Sequence, residues 1–157
     1  AFPGTEESRK ALELIAYLNQ KLPELKIEEE KEIAQALYTK DTTAVHLFTL
    51  IIENPSFNIN LATFDVISYN IDNYTNKNYR TEGSLAENKY IMINVSGFAD
   101  YLQAMDYYRS FILSRIVRNP SGAKMYTFII SRENLAVLNT DYNPERYLLF
   151  FEENYEK

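Results

Sequence analysis

Cysteine is absent from this chain of 157 residues, which removes disulfides, thiolate metal sites and thiol nucleophiles together. The absence suits a reducing or an oxidising compartment equally, so it places the protein in neither. Basic residues are in deficit: 16 Lys and Arg against 22 Asp and Glu leave a formal net charge of -6. Nucleic acid is therefore not an expected partner, nor is an anionic membrane surface, since both demand a cationic patch. No stretch approaches the roughly 18 continuous apolar residues of a membrane-spanning helix. Glycine is scarce, with 4 in the chain, and none builds a phosphate cradle. Val95-Ser96-Gly97-Phe98 leaves a strand without the further glycines of a dinucleotide fingerprint, and Asn119-Pro120-Ser121-Gly122 is a turn signal. The N-terminal residues do not read as a signal peptide, and the chain as given starts at Ala1-Phe2-Pro3-Gly4 rather than at Met. The expectation is a piece excised from something longer.

Catalytic groups are equally sparse. His46 is the single histidine, with no second imidazole to share a metal and no thiol to activate, so it reads as structural. Asp100 with Asp106, and Glu152 with Glu153, show no spacing that would separate two carboxyl pKa values for acid–base work. No serine stands in a G-x-S-x-G setting. The residues point to a non-enzyme with no cofactor and no metal.

What is present is a strand-then-helix unit written twice. Phe48-Thr49-Leu50-Ile51-Ile52 leads through a polar turn to helically spaced apolar residues from Leu61 to Ile67. Ile91-Met92-Ile93-Asn94-Val95 leads in the same way to Tyr101 through Tyr108. Alternation and apolar periodicity predict strands near 45–53, 79–87, 89–96 and 125–131, with helices near 60–74 and 99–116. The polar second strand belongs at a sheet edge, and Glu87-Asn88-Lys89 is its hairpin turn. With right-handed crossovers, the order βαββαβ specifies an α+β, ferredoxin-like domain, a four-stranded antiparallel sheet with both main helices on one face. Two further helices follow, Glu133 to Leu138 capped by Ser131 and another opening at Asn143-Pro144-Glu145. Ahead of the sheet, residues 5–39 read as two helices broken at Pro23. The acidic run Glu28-Glu29-Glu30 reads as a solvated helix start. The division is a helical hairpin over 1–43, the remnant of an upstream helical region, and an α+β domain over 44–157.

Aromatic residues are in excess, 13 Tyr and 9 Phe. Tyr107, Tyr108 and Phe111 span so wide an arc that one tyrosine belongs at a rim, and Tyr69, Tyr74 and Tyr79 cluster after the first main helix. Strand alternation sends Phe48, Leu50, Ile52, Ile91, Ile93 and Val95 toward the helices. That leaves Thr49, Tyr90, Met92, Asn94, Thr127 and Ile129 on the other face. An open face of this mixed polar and aromatic kind can bind a sugar polymer or a protein, or be covered internally; Thr49, Tyr90, Met92, Asn94 and Thr127 are its candidate binding residues.

The stretch Ile91 to Phe98, followed by Ala104-Met105-Asp106-Tyr107-Tyr108, resembles the half-repeat of sporulation-related repeat (SPOR) domains. From Val45 to Tyr155 the chain is similar to the C-terminal region of Bacteroidetes tetratricopeptide-repeat lipoproteins of the gliding and type IX secretion machinery. Gln103 to Arg109, Phe128-Ile129-Ile130-Ser131 with Glu133-Asn134, and Arg146 to Phe151 through Asn154-Tyr155 carry that likeness. So does the N-terminal Lys10 to Asn19, which resembles the segment between the repeats and the terminal domain. The resemblance implies an interaction module of a cell-envelope lipoprotein at the periplasmic face of the outer membrane, with other envelope proteins as partners. The SPOR likeness implies a second reading, in which the open sheet face binds peptidoglycan glycan strands. Ile52-Glu53-Asn54-Pro55-Ser56-Phe57 departs from that pattern by lacking the Gly-Phe turn. A third reading is a metabolite-sensing ferredoxin-like domain.

Overall fold

A computed structural model describes residues 5–117 and 122–157. In chain order its elements are α1 (Glu6–Leu37), β1 (His46–Ile52), α2 (Ile59–Asn73), β2 (Arg80–Ala86), β3 (Tyr90–Ser96), α3 (Tyr101–Ser114), β4 (Met125–Ser131), α4 (Arg132–Asp141) and α5 (Pro144–Tyr155). The strands form one antiparallel sheet in the order β2-β3-β1-β4. This is the ferredoxin-like α+β arrangement, and every strand lies within a residue or two of its expected position. Residues 119–121 of the expected turn before β4 lie outside the described residues.

Local chemistry starts each helix where it does. Asn58, Asp100, Ser131 and Asn143 each turn a side-chain oxygen back to accept a backbone N–H three residues on, from Leu61, Gln103, Asn134 and Arg146, which satisfies donors that the helix itself cannot. Pro144 then occupies the first turn of α5, where its missing N–H costs nothing. The β2–β3 hairpin closes on Glu87 and Asn88, both with positive φ (53° and 52°), the backbone twist that suits a two-residue turn.

Helices α2 and α3 lie on one face of the sheet. Phe48 packs against Tyr107 and Phe111 of α3. Gly83 lets α2 approach β2 so closely that a Cβ there would collide with Thr63. The opposite face is not open. Phe128, the register partner of Thr49, packs against Tyr147 and Phe151 of α5, and α4 also rests on β4. All seven residues of β1 are consequently buried, as expected of a strand covered on both sides.

The N-terminal region departs from expectation. Instead of a hairpin broken at Pro23, α1 is a single helix of 32 residues with Pro23 inside it. Proline removes the hydrogen bond to the Asn19 carbonyl, but both residues are exposed and water can serve the freed group. Glu24 to Glu32 are mostly strong helix formers with no turn residue among them, so nothing redirects the chain. Only the last turns of α1 dock. Ala34 is buried, Tyr38 lies edge-on to Tyr147, and Arg146 bridges Glu30 at 2.8 Å and Asp141 at 2.6 Å. Asn134 then holds both backbone groups of Thr39, accepting at 3.1 Å and donating at 2.8 Å. The anchoring end of α1 therefore shares its core with the sheet.

Candidate functional site

The residues expected on an open sheet face are placed differently from that expectation. Thr49 is fully buried, and its hydroxyl donates to the Asn94 carboxamide oxygen at 2.7 Å, so the two polar groups satisfy one another. Tyr90 and Met92 are 6% and 5% exposed, and Asn94 is half-buried. Thr127 and Ile129 lie on the other side of the sheet, because they pair with Leu50 and Phe48, residues that face α2 and α3. Tyr126, Phe128 and Ile130 occupy the face assigned to them. Both parities of β4 carry large apolar residues, Met125 and Ile129 on one and Tyr126, Phe128 and Ile130 on the other, so its alternation carries little phase, and a slip of one residue exchanges the two faces. These five candidates do not form a surface.

The clustered tyrosines of α2, α3 and the segment between α2 and β2 pack into the core. Tyr107 sits at the centre of a ring cluster with Tyr69, Tyr74, Tyr79, Phe98 and Phe111. Its hydroxyl donates to the Asn70 side-chain oxygen, while the Asn70 amide donates to Thr81 at 3.1 Å. Burial pushes the Tyr107 hydroxyl far above its ordinary pKa, and the neighbouring tyrosines add to the shift. Neither tyrosine of the arc sits at a rim: Tyr108 is buried too, packing on Phe151 and donating to Glu156 at 2.6 Å. The arc is covered by the C-terminal end of α5, through Phe151 and Glu156. A shallow cleft of about 330 Å³ lies beside this cluster, walled by Tyr74, Tyr79, Asn70 and Lys77, but Asn70 is already committed to Tyr107 and Thr81.

His46 is buried and held at both ring nitrogens. Its Nδ1 lies 2.8 Å from the Ala44 carbonyl and its Nε2 2.8 Å from the Tyr155 hydroxyl. A carbonyl only accepts, so Nδ1 carries the proton and Nε2 accepts from the tyrosine. Burial lowers the imidazole pKa and raises that of Tyr155 to about 12. This is a joint between the start of β1 and the end of α5. Among the described residues, no group of three or more His, Asp or Glu side chains comes together as a metal site. No helix there is long and apolar enough to cross a membrane.

The exposed chemistry lies elsewhere. Every residue of α1 from Arg9 to Gln20 is exposed, and the helix is not polar there. Leu12, Leu14, Ile15, Leu18, Leu22 and Leu25 are 44–68% exposed, and Tyr17 and Ile27 add to the apolar area. Exposed single leucines are ordinary, but a contiguous run of them along a projecting helix marks a contact surface. Its signal in the sequence is the helically spaced apolar stripe Ala11, Leu12, Ile15, Ala16 and Leu18. A shorter stripe, Leu61, Phe64 and Ile71, lies on the outer side of α2.

No protein-family model, curated protein or solved structure matches the chain.

Proposed function

We propose that this protein is a non-enzymatic protein-interaction module whose docking element is the projecting part of α1. One observation carries the reading: a helix that leaves the body near Glu30 and presents six large aliphatic side chains to solvent. An amphipathic helix of this kind gains most of its stability by laying its apolar side on another helix or in a groove. The setting we propose is the periplasmic face of the outer membrane, within a lipoprotein of the gliding and type IX secretion type. What supports that setting is the resemblance of the Gln103–Arg109 and Arg146–Tyr155 segments. The glycan-binding alternative loses its surface, since Thr49, Tyr90 and Met92 are buried.

A photoreactive residue in place of Leu14 tests the docking element. Irradiation should yield a discrete protein adduct, lost when Leu18 and Leu25 are both replaced by Asp. An unreacted chain at working concentration, or an adduct indifferent to those replacements, overturns the reading.

A further inference from the structure

We infer that the partner of the α1 arm is a second copy of this chain, bound as an antiparallel two-helix coiled coil. The inference rests on the reading of α1 as the docking element and names its occupant. The exposed apolar residues follow a heptad: Ala11, Ile15, Leu18, Leu22 and Leu25 are separated alternately by four and three residues, the a and d spacing of a coiled-coil seam. Leu12 and Leu14 fall on the two flanks of the seam. Ile27 points instead toward the cleft it shares with Arg146 and Leu149, which leaves Tyr17, with its polar tip, as the one large apolar residue outside the pattern. Pro23 falls on the solvent side of the heptad, where its ring does not interrupt the packing.

The arm fits itself best in one register. With Ile15 opposite the partner's Leu18, Ala11 meets the partner's Leu22 and Ser8 meets the partner's Leu25, and twofold symmetry repeats each layer. Glu6 then lies opposite the partner's Ile27, so the overlap ends where each helix docks on its own body through Glu30 and Arg146. Shifting by a heptad toward the body puts Lys21 against the partner's Lys21 and shortens the seam. A parallel pair puts Lys21 against the partner's Lys26 on both flanks, and like charges there select against the arrangement. In the preferred register Lys21 lies beside the partner's Leu14, over which its aliphatic stem can pack. Glu7 facing the partner's Glu28 at each end is the one unfavourable contact.

The absence of cysteine makes the test clean. Light scattering on the whole chain should give a mass moving from 18.3 kDa toward twice that value as concentration rises into the micromolar range, and Leu18→Asp should abolish the change. Mixed Ile15→Cys and Leu18→Cys chains, mildly oxidised, should form the 15–18 disulfide several-fold in excess of the 15–15 and 18–18 species. Glu7→Lys should tighten the dimer about threefold, the effect of two weak surface pairs. A monomer at every concentration overturns the second copy as occupant, and photo-adducts to other proteins would then leave the docking reading standing. A predominance of same-site disulfides, or no tightening by Glu7→Lys, overturns the antiparallel register.

Discussion

The sheet body and the projecting arm draw on the same apolar alphabet and treat it in opposite ways. In the body, β1 buries all seven of its residues. Three tyrosines that reach the interior find hydrogen-bond partners there: Tyr107 on Asn70, Tyr147 on the Ile129 carbonyl and Tyr155 on His46. In the arm, twelve consecutive residues from Arg9 to Gln20 are exposed, and leucines stand in water with only surface ion pairs, such as Arg9 with Glu6, around them. Burying a leucine contributes about 1.5–3 kcal/mol, a gain the body has realised and the arm has not. The difference separates a part of the molecule whose apolar residues are covered from one whose apolar residues are not, and the docking reading proposed above rests on it.

The largest test of this contrast is Phe128→Ala. Phe128 is fully buried between β1 and the rings of Tyr147 and Phe151, so truncation should cost about 3–5 kcal/mol through lost contacts and an unfilled cavity. Urea unfolding measures it. A loss below about 1 kcal/mol would mean that α5 does not seal this face, and Thr49, Tyr90 and Met92 would again be candidates for a binding surface.

The four strands and α2 to α5 were legible because each carries local signals that agree with its tertiary setting. Period-two runs ended at turn residues, and Ser131, Asn143 and Pro144 announced the last two helices. The sheet's open face was misread for a physical reason. Coverage by helices on both sides puts large apolar residues on both parities of a strand, and Met125 to Ile130, interrupted only by Thr127, gives little sign of which side is which. Pro23 reads as a break in the sequence, but the Asn19 carbonyl it frees is exposed and tolerates the loss, so α1 continues through it. The apolar stripe of α1 is visible as a pattern, but a pattern cannot say whether it is covered. That depended on the helix running on as one piece and carrying the stripe away from the body.

A smaller test uses the joint at His46, which ties β1 to α5. Burial lowers its pKa in the folded protein below the ordinary value of about 6.5. Below that value the unfolded chain binds the proton more readily, so stability present at neutral pH is lost as pH falls from about 7 through 6.5 toward the folded pKa. The melting temperature should therefore drop between pH 7.5 and 5.5, and His46→Gln should flatten that part of the profile. An unchanged slope in the variant would show that carboxylates carry the dependence instead.

The smallest expected effect is the most discriminating one. Leu18→Asp changes a large apolar residue to a charged one, which at a body position such as Ile93 would unfold the protein. In the arm it should alter the melting temperature of the dilute monomer hardly at all, within about 0.5 kcal/mol, the range of ordinary surface substitutions. Leu18 contacts no core residue that the change could disturb, and its side chain is already 44% exposed. Thermal unfolding followed at a low and a high protein concentration separates the two roles. The wild type should gain stability with concentration, because association favours the folded state by mass action, and the variant should not. A large loss in the dilute variant would mean that the arm folds back on its own body, and the division between a finished body and a contact-seeking arm would fail.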